Sequence, residues 1–390
     1  MAGFPVTSTT GSAGTPLSSP SSPAAGKYPN LHRAIADVLN GAQDRTILFV
    51  GDSHTYGYTS VIGPFSQTLF SQMVTFFSSM AGVTAQQGLI IPPGSTSSTL
   101  DARWTVAGTW SIAGTLATPR GWGGLASATS TNLAAFTSIS INTAGLKYAP
   151  ATSCDTFDVY YIDDPLNGTF QINIDGGANT TVGPSTSGIK KVTITGAVAS
   201  NHVLNFNLTN IQFGVYIIGV DARLSTTPTL RLGNAGVNGS FSTGWASTGA
   251  VSASACITTY APDVTVVCIG GNDIIVANPN TTAGQYITNL TTIANTAKLS
   301  GDVIFCGLVA QSPTAFTPNA NPGLQSLNAT LQSWAIGQGF GFIDLWDAWG
   351  GIPGQATLQT LSYYDAAGIE FTNRGYADRA RILVQGLLAL

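Results

Sequence analysis

Apolar and polar positions along the chain alternate in two different textures. In the first, short continuous apolar runs end in Gly-punctuated turns and are separated by stretches with helical spacing. Ile47 to Val50 is such a run, and it stops abruptly at Gly51, Asp52, Ser53 and His54. Four consecutive apolar residues predict a buried parallel strand whose C-terminal edge carries Ser53. Leu31, Ala34, Ile35, Val38 and Leu39 predict a short helix before it, stopped by Asn40-Gly41. Phe65, Leu69, Phe70, Met73, Val74, Phe77 and Met80 predict another after it. Further strands of this kind are expected at Leu230 to Leu232, Asp263 to Ile269, Asp302 to Leu308 and Gly341 to Leu345. Helical patterns at Gln285 to Ala297, Leu324 to Ile336 and Asn373 to Leu388 follow the last three.

The second texture lies between about Asp101 and Leu224. Thr156 to Ile162, Thr169 to Ile174, Lys190 to Thr195, His202 to Leu208 and Gly214 to Val220 have period-two character and turn clusters between them. That density of short strands without a helix predicts an antiparallel β-sandwich. The fold expected is therefore α/β, a five-stranded parallel sheet of flavodoxin-like type with helices on both faces, and a β-sandwich inserted after its first strand-helix unit. The expected divisions are an extended arm over residues 1–30, the first α/β part over 31–100, the sandwich over 101–226 and the second α/β part over 227–390.

Composition narrows the partners. Among 390 residues, 44% are hydrophobic and 9% aromatic, enough for a sizeable core. Only 8% are charged, the net charge is −4 and no basic run occurs, which argues against nucleic-acid binding. Gly, Ser, Thr, Ala and Asn carry the solubility instead, as in extracellular or virion proteins. Met1 to Asn30 has no apolar segment preceded by Lys or Arg and does not read as a secretory signal; it reads as an arm that an assembly partner could order. No stretch is expected to span a membrane. The four cysteines show no metal-type spacing, no metal or other cofactor is implied, and Cys268 and Cys306 are expected to be buried free thiols. Asn167, Asn207 and Asn289 head Asn-x-Ser/Thr triplets and are candidate glycosylation sites.

The turns after the strands carry the chemistry. Gly51-Asp52-Ser53 follows the first strand, Asn234 to Gly239 the second, and Gly270-Gly271-Asn272-Asp273 the third. In that order they resemble the first three sequence blocks of the SGNH (GDSL-type) hydrolases. The resemblance implies Ser53 as a nucleophile toward an ester carbonyl. It also implies an oxyanion hole of the Ser53 and Gly239 backbone N–H groups and the Asn272 side-chain amide.

The last block departs from the family. Where members have Asp-x-x-His, this chain has Ala367-Gly368-Ile369-Glu370, inside an otherwise fitting Ala367 to Tyr376. Glu370 thus takes the place of the general base, and a carboxylate titrates about two units below an imidazole. Burial beside Ser53 would narrow that deficit. With no imidazole to orient, an Asp at 367 would only repel Glu370. The other candidate bases are His32, placed toward the catalytic edge by its helix; His54, expected to be a turn or surface residue; and His202, in the sandwich. Asp365 is a candidate orienter.

Two functions follow. One is a carbohydrate esterase or deacetylase acting on O-acylated surface polysaccharide, impaired by the missing imidazole. The other is a non-catalytic glycan-binding, structural or host-recognition module, such as a phage tail or surface protein, attached through its arm.

Overall fold

The computed structural model of the protein describes residues 27–57, 69–90, 103–106, 110–112, 136–138, 146–163, 165, 168–183, 185–210, 216–237, 240–275, 281–311, 321–364, 368 and 370–390. The arm expected over residues 1–30 lies outside them up to residue 26.

Helix α1 (Pro29–Leu39) leads into strand β1 (Arg45–Gly51), a single turn α2 (Ser53–Tyr56), helix α3 (Leu69–Ala81) and strand β2 (Ala85–Ile90). Ten strands follow: β3 (Trp104–Val106), β4 (Trp110–Ile112), β5 (Phe136–Ser138), β6 (Leu146–Tyr148), β7 (Cys154–Asp163), β8 (Thr169–Ile174), β9 (Thr180–Val182), β10 (Gly188–Ser200), β11 (Leu204–Asn210) and β12 (Tyr216–Arg223). The chain then returns to strand-helix alternation. It runs through β13 (Leu230–Gly236), α4 (Ser242–Trp245), α5 (Ala253–Tyr260), β14 (Val264–Cys268), α6 (Gly271–Ile275), α7 (Ala283–Ala297) and β15 (Asp302–Cys306). It ends with α8 (Asn321–Gly337), β16 (Gly341–Ile343), α9 (Leu345–Ala348), α10 (Gly351–Thr360) and α11 (Asn373–Ala389).

Parallel pairing runs through β2, β13, β1, β14, β15 and β16, so among the described residues the parallel part holds six strands where the sequence pattern predicts five. The extra one is β2. Its Ala-Gln-Gln start hides it from an apolar-run criterion, and only its last three residues are buried.

Alternation along β1 builds both faces. Ile47 and Phe49 point into a core with α1, α3 and α11, while Leu48 and Val50 point into a second core with α5, α7 and α8.

The sandwich is present but is not a separate pair of sheets. Strands β3, β6, β11, β8 and β9 form a five-stranded antiparallel sheet. The opposite layer, β10, β7 and β12 with β5 paired to β12 and β4 to β5, continues the central sheet, with β12 antiparallel to β2 at Val220 and Ile90. Strand β7 is buried along its whole length because both of its faces are covered. Phe157, Val159 and Tyr161 face the five-stranded sheet, and Tyr160 and Ile162 face the core shared with α5.

The seam between β12 and β13 is pinned by charge. The Arg231 guanidinium donates to the fully buried Asp221 carboxylate (2.7 Å), which also accepts from the Tyr260 hydroxyl (3.2 Å). Gly88 on β2 makes this possible, since a Cβ there would lie 3.1 Å from the Arg231 Cβ and 3.3 Å from the Tyr260 hydroxyl.

Candidate functional site

The strand edge where β1, β13 and β14 end is stitched into one unit by hydrogen bonds to two carbonyls, Gly51 O and Ser240 O. Gly51 O accepts from the Val237 N–H (2.9 Å) and from the Ser240 hydroxyl (3.1 Å), tying the turn after β13 to the turn after β1. The Asn272 side-chain amide donates to Ser240 O (3.0 Å), bringing in the turn after β14. That bond uses one of the two amide hydrogens of Asn272. Close packing demands glycine at two of these positions. A Cβ on Gly51 would come within 2.4 Å of Cys268 O, and one on Gly236 within 2.1 Å of the Tyr56 N.

Ser53 opens α2 and is buried to 7% exposure. Asp52 caps the turn, its side chain accepting from the His54 N–H (3.1 Å). The next turn is held by a second carboxylate. Asp273 accepts from the Ser242 N–H (3.0 Å) and hydroxyl (2.5 Å), and Asn289 donates to the same hydroxyl (2.9 Å). Burial pushes the Asp273 carboxyl above its ordinary range, against the pull of the Ser242 bonds. Asn289 is therefore buried and engaged, which removes it as a glycosylation acceptor in the folded chain.

Glu370, buried to 9% exposure, arrives just ahead of α11, whose cap Thr372 accepts from the Gly375 N–H (3.3 Å). Its carboxylate oxygen lies 3.6 Å from His54 Nε2. This corrects the expectation for His54. Its side chain is a buried one, and its ring packs against Phe371 with centroids 4.4 Å apart. The cause lies far along the chain. Arg379 of α11, 3% exposed, donates to the His54 carbonyl (2.6 Å), and Phe371 supplies an apolar wall. Sequence reasoning missed Arg379; a charged residue at an apolar-face position of the last helix was the available signal.

Beneath the site, Cys268 and Cys306 are free buried thiols, as expected, and Cys154 and Cys256 are free as well. Burial pushes Cys268 up, but the Cys306 thiol and the Arg379 charge outweigh it and bring its pKa below the ordinary thiol value.

Other candidates stand elsewhere. His32 is exposed near the start of α1, where the adjacent Leu31 N–H donates to Asp302 (2.9 Å). Asp302 begins β15, so His32 sits toward the N-terminal edge of the sheet, opposite the edge that carries Ser53. His202 has both ring nitrogens engaged within the sandwich, with Asp175 (2.6 Å) and Val198 O (2.6 Å). Gly239, Asp365 and Ala367 lie outside the described residues. Among the described residues no group of side chains is arranged to hold a metal ion, and no helix is long and apolar enough to cross a membrane.

Comparison with known proteins finds similarity over part of the sequence and over the fold. Residues 219–377 match the profile of the GDSL-like lipase/acylhydrolase family, a span that holds Asn272 and Glu370 and leaves out the Ser53 turn. A peptidoglycan O-acetylesterase structure superposes with a TM-score of 0.62 at 15% identity, covering 93% of this chain and 95% of its own, which is a likeness of fold. A lipase/acylhydrolase from Enterococcus faecalis has 20% identity and a TM-score of 0.34 over 40% of this chain and 75% of its own. An acetylxylan esterase from Geobacillus stearothermophilus has 15% identity and a TM-score of 0.33 over 41% and 73%. No curated protein matches. Residues 219–377 of the chain are thus similar in sequence to the GDSL-like lipase/acylhydrolase family, and nearly the whole chain shares a fold with a peptidoglycan O-acetylesterase.

Proposed function

We propose that the protein is a serine esterase that removes O-acyl groups from an extracellular polysaccharide. The observation that carries this reading is the stitch from Asn272 through Ser240 to Gly51, which draws three loop tips together around the start of α2. In the proposed reaction the Ser53 hydroxyl attacks the ester carbonyl and Glu370 takes its proton. The Asn272 amide, with the backbone N–H groups of Ser53 and Gly239, stabilises the oxyanion. The fold likeness to a peptidoglycan O-acetylesterase extends over the sandwich and supports an acetylated sugar as substrate.

A carboxylate base makes turnover slow. Removal of a triad member leaves about 10³- to 10⁴-fold acceleration over water, supplied by the oxyanion hole and binding. Hydrolysis of p-nitrophenyl acetate and acetate release from O-acetylated peptidoglycan are the measurements. Ser53→Ala should abolish both, and Ala367→Asp together with Glu370→His should raise both steeply. Equal rates for the wild type and Ser53→Ala would overturn the reading.

The carboxylate at 370, engaged with His54, favours a second reading, a glycan-binding module without turnover. A virion surface protein anchored through residues 1–30 is the form suggested by the charge-poor composition. It expects glycan binding that Ser53→Ala leaves intact and no acetate release by either protein.

A further inference from the structure

We infer that His54 is a positioning residue for Glu370: its imidazole holds the carboxylate in the orientation that accepts the Ser53 proton. The inference rests on Ser53 and Glu370 being nucleophile and base. A residue that follows a nucleophile in a tight turn ordinarily diverges from it into solvent. His54 does not, and its Nε2 stands 3.6 Å from the Glu370 carboxylate with the two side chains 10% and 12% exposed. That separation is too long for a hydrogen bond and is a close polar contact between two buried side chains.

Two features keep the imidazole there. Its ring lies against Phe371, the residue directly after Glu370, at 4.4 Å and 32°. Its backbone is held at both ends, the N–H by Asp52 (3.1 Å) and the carbonyl by Arg379 (2.6 Å). Asp52, Glu370 and Arg379 are charged groups that meet His54 among the described residues, with Arg379 directed at the carbonyl while Glu370 meets the ring. Because Glu370 precedes α11 and Arg379 belongs to it, one helix sets both partners of the contact.

The arrangement reverses the usual order of a serine triad, in which a carboxylate orients an imidazole. Here the imidazole orients the carboxylate. As the Oγ–C bond forms, the carbonyl π pair moves to the oxygen held by Asn272, and the Oγ proton passes to Glu370. On collapse Glu370 returns that proton to the departing alkoxide, leaving the acyl-enzyme. His54 takes no part in the proton transfer, so its contribution is geometric. A long, rotatable glutamate needs that restraint, since a misplacement of about 1 Å can cost about 10²-fold in rate.

The test is steady-state hydrolysis of p-nitrophenyl acetate by the full chain. His54→Leu should lower kcat by up to about 10²-fold with KM little changed. His54→Gln, whose amide can still face the carboxylate, should recover a large part. In a Glu370→Gln background, His54→Leu should have no further effect. Should the Leu variant fail to fold, NMR of the three imidazoles replaces it: Glu370→Gln should shift the His54 ring signals and leave those of His32 and His202 in place. Ser53-dependent turnover that His54→Leu leaves at the wild-type kcat, additive effects of the two substitutions, or an unmoved His54 signal would each refute the inference while sparing the esterase reading. Equal rates for the wild type and Ser53→Ala would instead remove both.

Discussion

At the residue scale, Asn272 has a dual duty: one amide hydrogen is committed to Ser240 O, and the proposed role asks the other to meet an oxyanion. Asn272→Ala should therefore lower kcat on p-nitrophenyl acetate by about 10²- to 10³-fold, with a smaller effect on KM. An unchanged kcat would show that the amide only shapes the turn. The places of Ser53 and Asn272 at the sheet edge were legible in the sequence because each comes within three residues of the end of an apolar run, and the end of a parallel strand dictates where the next residues go. Glu370 was legible as a departure from a family pattern. The burial of His54 was not, since the direction of its side chain is set by Phe371 and Arg379, more than 300 positions away in the chain. Those two residues have no motif of their own. Their effect exists only once α11 is docked.

At the scale of elements, strand-helix alternation was readable wherever burial on both faces made a run continuously apolar, as in β1, β14 and β15. Strand β2 was not, because its first three residues are only partly buried and polar side chains suffice there. It is nonetheless the strand that joins the two halves of the sheet, and the Arg231–Asp221 pair passes over its Gly88. Breaking a pair whose carboxylate is fully buried leaves the guanidinium, itself only 13% exposed, without compensation. Asp221→Ala should cost about 3 to 5 kcal/mol of stability in denaturant unfolding, and Arg231→Met added to it should restore most of the loss. Equal stability of wild type and Asp221→Ala would mean that β2 and the helices hold the seam without the pair. Helix α1 shows the same reliance on remote partners. It has no side-chain N-cap of its own, and Asp302 at the start of β15 takes the Leu31 N–H in its place.

At the scale of the whole molecule, the period-two texture correctly announced antiparallel strands, but spacing alone could not say that five of the described ones extend the central sheet. That depends on which strand finds the edge of β2. One hydrophobic core consequently mixes Tyr160, Ile162, Ile189 and Ile218 from the inserted strands with Cys256, Ile257 and Tyr260 of α5 and with Val267 and Phe305 of the parallel sheet. Calorimetry should show a single cooperative transition, with near- and far-ultraviolet dichroism lost together. Two separated transitions would show that the sandwich melts on its own. The common core also means that the insert cannot be lifted out like a cassette. A shortened chain joining residue 100 to residue 227 would strip α5 of its cover and leave β2 with an open hydrogen-bonding rim, ready to recruit strands from other copies. Such a truncation would report on aggregation rather than on the catalytic competence of the remainder.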